Sequence, residues 1–133
     1  MTEVRKITPI IFVEAIEPCL PFWVDRLGFE KTAEVPHGDR LGFVILTRDG
    51  TEVMLQTRAS VADDVPSLAG TPMKGTILFI EVASADAIEA ALAGIESVIP
   101  RRKTFYGADE IVVREPAGNT VIFAEFATTQ PQR

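Results

Sequence analysis

His37 is the only histidine and Cys19 the only cysteine of the chain, so nucleophilic, acid–base or metal-binding chemistry must be assembled around very few side chains. His37 stands in the polar string Pro36-His37-Gly38-Asp39-Arg40, which reads as an exposed loop. A general base there would need a carboxylate partner such as Asp39 and access to a cavity. Cys19 lies near the start of a helical pattern with no histidine evidently beside it and reads as a packing cysteine. It cannot form an internal disulfide, and no CxxC or Cys/His cluster is present to hold a structural zinc. Arg40, Arg48 and the basic run Arg101-Arg102-Lys103 could bind anions but read as solvated, as does the acidic pair Asp63-Asp64. No Ser-His-Asp order, HExxH, P-loop or GxGxxG pattern occurs.

The elements that must position these side chains are marked by glycine and proline. Residues 7–13 (ITPIIFV) are β-rich and apolar and predict a strand. Pro18 suits the first turn of a helix, after which Leu20, Trp23, Val24 and Leu27 recur at helical spacing until Gly28 stops it. Strands follow at 29–35, 41–47 and 51–56, joined by Pro36-His37-Gly38-Asp39 and by Arg48-Asp49-Gly50, the latter a hairpin signal. Residues 57–75 carry no strong period and read as a linker with about one helical turn. The order then repeats: a strand at 76–82, Ser84 as N-cap of a helix with the stripe Ala87, Ile88, Ala91 and Leu92, and strands near 96–103, 109–114 and 120–126.

Each half is thus β-α-β-β-β. IIFVEA at 10–15 matches ILFIEV at 77–82, and VMLQ at 53–56 matches VIFA at 121–124, each behind a glycine turn. The period is half the chain. The fold class expected is α+β: one domain over 1–133, with module one at 1–56, the linker at 57–75 and module two at 76–133, its mixed sheets curled around a cavity.

Thirteen basic and nineteen acidic residues give a net charge of −6, and 47% of the 133 residues are hydrophobic. A chain of this size buries roughly 68% of its unfolded surface and needs no staples. The even spread of acidic charge argues against nucleic acid as a partner. No apolar run approaches the ~20 residues of a membrane span, so no membrane partner is expected and a cytoplasmic location fits.

The strings FVEAIEPCLPFWVDRLGFE and YGADEIVVREPAGNTVIFAE, with Phe22-Trp23, Leu27-Gly28-Phe29, Tyr106-Gly107 and Glu115-Pro116-Ala117-Gly118-Asn119 as their most specific parts, resemble the vicinal oxygen chelate superfamily. Its members include glyoxalase I, extradiol dioxygenases, fosfomycin-modifying enzymes and bleomycin-resistance proteins. The resemblance implies a divalent metal in the curled sheet of the enzymes, held by His, Glu or Gln. Here the implied positions carry Thr8, Ile77, Met54 and Ile122, of which only a hydroxyl and a thioether have donor atoms. No metal and no other cofactor is therefore expected, and the character is that of the metal-free bleomycin-resistance branch.

By strand parity the face carrying those positions also displays Ile10, Phe12, Gln56, Phe79 and Ala124, an apolar trough of the kind that binds small molecules. The expected ligand-binding residues are Phe12, Trp23, Met54, Gln56, Phe79, Phe105 and Tyr106, although Trp23 suits the packing of helix on sheet better than it suits ligand stacking. Glu125 is one residue off this parity and belongs on the convex side. Two function classes follow. The first is a homodimeric, metal-free protein that sequesters an aromatic or amphiphilic organic ligand, cationic if the net acidity guides it. The second is a glyoxalase, lyase or dioxygenase type enzyme with a displaced metal site from Glu52, Gln56 or Glu81, or with acid–base work by His37 or Tyr106. A duplicated domain kept for protein interaction is a third.

Overall fold

Alternation of apolar residues with a period of two builds most of this protein. Leu41 to Thr47 and Thr51 to Thr57 alternate half-buried and buried side chains along the chain. The computed structural model describes residues 2–72 and 75–127. In chain order the strands are β1 (Ile10–Val13), β2 (Glu30–His37), β3 (Arg40–Arg48), β4 (Thr51–Thr57), β5 (Ile77–Glu81), β6 (Ser97–Lys103), β7 (Ala108–Arg114) and β8 (Thr120–Phe126). Two helices, α1 (Arg58–Asp64) and α2 (Ala85–Ala91), and three shorter helical turns complete the set.

The chain divides into two compact units, Met1–Lys74 and Gly75–Arg133. Each contains one four-stranded sheet, ordered β1-β4-β3-β2 in the first and β5-β8-β7-β6 in the second. The same pairing recurs: the first strand joins the last in parallel, and the remaining neighbours are antiparallel. The sheets are mixed and unclosed, and the duplicated βαβββ arrangement expected from the sequence is the observed one.

In the first unit one sheet face is buried through Ile11, Val13, Val44, Leu46, Val53 and Leu55, and the helical segment supplies Phe22, Trp23 and Leu27 to the same core. That segment is not the single α-helix the spacing predicts. It is a 3-10 turn, Glu17–Cys19, followed by a π turn, Pro21–Arg26. Pro21 has no N–H to offer the carbonyl four residues back, and its ring crowds that carbonyl. The ladder therefore tightens before it, with Leu20 N–H on Glu17, and widens after it, with Leu27 N–H on Phe22 O at 3.1 Å. Gly28, at φ +74, then turns the chain into β2.

Two connections also differ from expectation. The β2–β3 loop shrinks to Gly38-Asp39, because His37 pairs with Arg40 as the last rung of the hairpin. The segment after β4 is structured: Thr57 caps α1 by accepting Ser60 N–H at 3.1 Å, and Pro66 ends it by forcing Val65 out of helical backbone before the 3-10 turn Pro66–Leu68. In the second unit Ser84 caps α2 through Ala87 N–H at 3.0 Å, as the sequence predicts.

Candidate functional site

The face of the first sheet opposite the core carries Ile10, Phe12, Phe43, Ile45, Met54 and Gln56, brought side by side by the register. Ile10 lies beside Met54 and Phe12 beside Gln56 on one flank; Ile45 lies beside Met54 and Phe43 beside Gln56 on the other. At the end of β4 the chain turns into α1, which meets the tip of the β2–β3 hairpin. Between them opens a cleft of about 650 Å³ lined by Ile10, Val35, Phe43, Met54, Gln56 and the polar groups His37, Ser60, Asp63 and Asp64. Its floor is apolar and its rim acidic, and no lysine or arginine lines it.

Gly42 makes this junction possible. A Cβ there would lie 2.6 Å from the His37 Cβ and 3.1 Å from the Ser60 Cβ, closer than atoms pack. His37 is consequently held on a strand end, with Nε2 2.6 Å from Asp63 Oδ2. A carboxylate-held imidazole on a cleft rim is the arrangement a general base requires, and the partner is Asp63 where the sequence pointed to Asp39. Gln56 donates to Ser60 Oγ at 3.2 Å, which fixes the amide at the edge of the apolar floor.

Met54 and Gln56 therefore line the cleft, and Phe12 lies next to Gln56 on the same face, half-buried. Trp23 does not belong with them. It is 1% exposed, packed edge-on between the rings of Phe22 and Phe29 at 5.2 and 5.3 Å, and works as core, because the bulky apolar stripe of a helical segment faces inward. Cys19 is likewise buried, its thiol directed at Ala15 O.

The other expected residues lie in the second unit. Phe79 is half-exposed on β5, on the face opposite α2, with Phe126 at 6.4 Å. Tyr106 lies 6.3 Å from Phe126, and Phe105, fully exposed, stands edge-on to Tyr106 at 5.1 Å. The Tyr106 hydroxyl donates to Glu110, and this bond, ahead of burial, holds its pKa above the usual phenol value. Glu110 is wholly buried and also accepts Arg102 Nε at 3.1 Å and Nη2 at 3.0 Å. Sequence reading missed Glu110. It faces Ala124 as Phe43 faces Gln56, so at this rung of the repeat a glutamate stands where the first unit has a phenylalanine.

The basic run is spent internally. Arg101 forks onto Asp109 at 2.9 and 2.8 Å and also reaches Asp86 and Glu89, while Lys103 meets Asp109 at 3.4 Å. Asp109 is pulled down to about 2, chiefly by Arg101. Glu125 lies on the α2 side of β8, accepting Ala85 N–H at 2.7 Å. Glu115 is buried because its carboxylate closes the Glu115–Asn119 turn, taking the N–H groups of Ala117 and Asn119 and the Asn119 amide.

The metal positions implied by resemblance do not suit a metal. Thr8 gives its hydroxyl to Glu52 at 3.0 Å, and Glu52 is also paired with Lys6 at 3.1 Å, which, with Thr8, depresses its pKa. Ile77 and Ile122 offer no donor. Of the displaced set Glu52, Gln56 and Glu81, Glu52 is engaged by Thr8 and Lys6 and Gln56 by Ser60. Among the described residues no group of three or more His, Cys, Asp or Glu is placed to hold a metal ion. No helix among them is long and apolar enough to cross a membrane.

Known proteins share this architecture. A glyoxalase/bleomycin resistance protein/dioxygenase from Nocardioides superposes with a TM-score of 0.71 at 20% identity, over 100% of this chain and 91% of that one. A lactoylglutathione lyase from Agrobacterium tumefaciens gives 0.71 at 14% identity, over 93% and 95%. The bleomycin-binding protein of Streptomyces verticillus, solved with copper(II)-bleomycin, gives 0.63 at 26% identity, over 94% and 98%. No curated protein sequence matches the chain. The family model of the Glyoxalase/Bleomycin resistance protein/Dioxygenase superfamily matches residues 6–123, most of the sequence, and the chain belongs to that superfamily.

Proposed function

We propose that this protein binds a small organic molecule, aromatic or amphiphilic and positively charged, in the cleft of the first unit, without a metal of its own. The observation that carries the reading is the cleft itself. An apolar floor of Ile10, Phe43 and Met54 gives a planar or greasy ligand its burial, and Asp63 and Asp64 on the rim give a cation its counter-charge. The similarity to the bleomycin-binding protein of Streptomyces verticillus supports the same class of ligand.

The test is thermal unfolding in the presence of copper(II)-bleomycin and, separately, of 2-naphthylmethylammonium. A ligand of the native state at about 100 times its Kd adds about 2.7 kcal/mol, which for a domain of this size raises Tm by several degrees. The rise is expected with at least one of the two probes. It should shrink in the Asp63→Asn/Asp64→Asn variant and in Met54→Gln. An unmoved Tm with both probes, or an equal rise in the acid-free variant, overturns the reading.

A further inference from the structure

His37 Nε2 lies 2.6 Å from Asp63 Oδ2, and the other ring nitrogen, Nδ1, has no hydrogen-bond partner among the described residues. A carboxylate accepts and does not donate, so in the neutral imidazole the proton of this bond belongs to Nε2 and the lone pair to Nδ1. His37 lines the cleft of the first unit, and the close approach of Gly42 to His37 and Ser60 ties its strand end to α1. A base gains a positive charge with the proton it takes, and Asp63 stands where it stabilises the imidazolium so formed.

The charges around the cleft restrict what such a base can act on. Asp64 adds a second carboxylate to the rim, and no lysine or arginine lines the cleft. An enolate or oxyanion would form there beside like charge and without a cation to hold it, which disfavours neutral carbonyl acids and esters. A carbon acid that is itself a cation avoids this difficulty, because it becomes neutral when it gives up its proton. The positive charge then passes from the ligand to the imidazole and stays beside the carboxylates.

We infer that this cleft is a proton-transfer site for planar iminium and cationic nitrogen-heteroaromatic compounds, with His37 as the catalytic base and Asp63 as its positioning residue. The inference rests on the reading of the cleft as a site for aromatic cations and adds a reaction to it. Nδ1 takes a proton from a carbon attached to the C=N⁺ carbon. The C–H bond breaks, its electron pair forms a C=C bond, and the π pair of C=N⁺ moves onto nitrogen, leaving a neutral enamine and an imidazolium. Return of a proton from Nδ1 to the substrate completes a tautomerisation or an exchange, so no oxidant, reductant or other co-reactant is consumed.

The probe is 1,2-dimethylquinolinium, a planar cation whose 2-methyl protons are acidic in this way and whose exchange in neutral D2O is followed by proton NMR. The parent should gain Tm with the probe and should speed its exchange saturably, about a hundredfold or more over free imidazole at the same concentration. His37→Gln, whose amide can still donate to Asp63, should keep its fold by circular dichroism and its Tm rise, yet exchange the probe no faster than free imidazole. Asp63→Asn should lose about tenfold or more in the saturated rate. Asp63→Glu should recover part of that loss, which a change of affinity alone would not produce. A Tm rise without faster exchange, or with exchange that His37→Gln leaves unchanged, overturns this inference and leaves the binding reading standing. Neither a Tm rise nor faster exchange overturns both.

Discussion

Tyr106 is the only tyrosine of the chain, so its ionisation can be followed by absorbance near 295 nm without interference from a second phenol. Ionising it would place a phenolate beside the Glu110 carboxylate, and the bond it donates would be lost. Its midpoint should lie above 10.0, the ordinary value. Glu110→Gln should bring it down, because the amide carries no charge to oppose the phenolate. A raised phenol also binds its proton more tightly folded than unfolded, so its contribution to stability is present below pH 10 and fades as pH rises through the folded midpoint. A parent midpoint at or below 10, or one that Glu110→Gln leaves unmoved, would show that Glu110 does not hold this proton. At this scale the sheet faces on which Met54, Gln56 and Phe79 lie were legible because strand parity is a period of two and survives small boundary errors. Trp23 was legible as packing of helix on sheet, since it falls in the stripe of Leu20, Trp23, Val24 and Leu27, and its burial at 1% exposure takes it out of the ligand set. Glu110 was not, since a charge within a strand reads as solvated until its cross-strand neighbours are known.

The cleft is made by the meeting of two elements, the β2–β3 hairpin and α1, and neither was fully visible in the sequence. Punctuation placed the hairpin but left His37 in its loop, because a proline reads as the end of a strand, whereas the pairing continues through Pro36 opposite Leu41 to His37 opposite Arg40. The helix was reduced to a turn because seven residues carry too little periodicity to stand out. The strand order and the repeat were legible, since a duplicated pattern is read twice. The contact of the two elements rests on Gly42. Gly42→Ala would push a methyl into the His37 and Ser60 side chains, at a cost of about 1–3 kcal/mol for an overpacked site. It should lower the urea midpoint and weaken cationic ligands of the cleft. An alanine variant with parent stability and parent cleft affinity would mean that hairpin and helix are not tightly joined.

Across the whole molecule the acidic side chains are less free than the net charge of −6 suggests. Asp109 answers Arg101 and Lys103, Glu52 answers Lys6 and Thr8, and Glu17 accepts Leu41 N–H at 2.8 Å, so the pKa of each lies below its ordinary value. A carboxylate with a depressed folded pKa contributes stability above its unfolded pKa and loses it as pH falls through the folded one. For Asp109 those limits are 3.8 and about 2. Tm should therefore hold steady from pH 7 to about 5 and fall steeply between about 4 and 2. In that window the carboxylates take up protons while the thirteen Lys and Arg remain charged and begin to repel. Asp109→Asn should have a lower Tm at pH 7, because Arg101 loses its forked partner, and its curve should meet that of the parent near pH 2, where the parent's Asp109 has also lost its charge. Curves that stay parallel down to pH 2 would locate the loss in packing around residue 109, whereas convergence ties the acid limit of the fold to the Arg101–Asp109 pair at the start of the basic run.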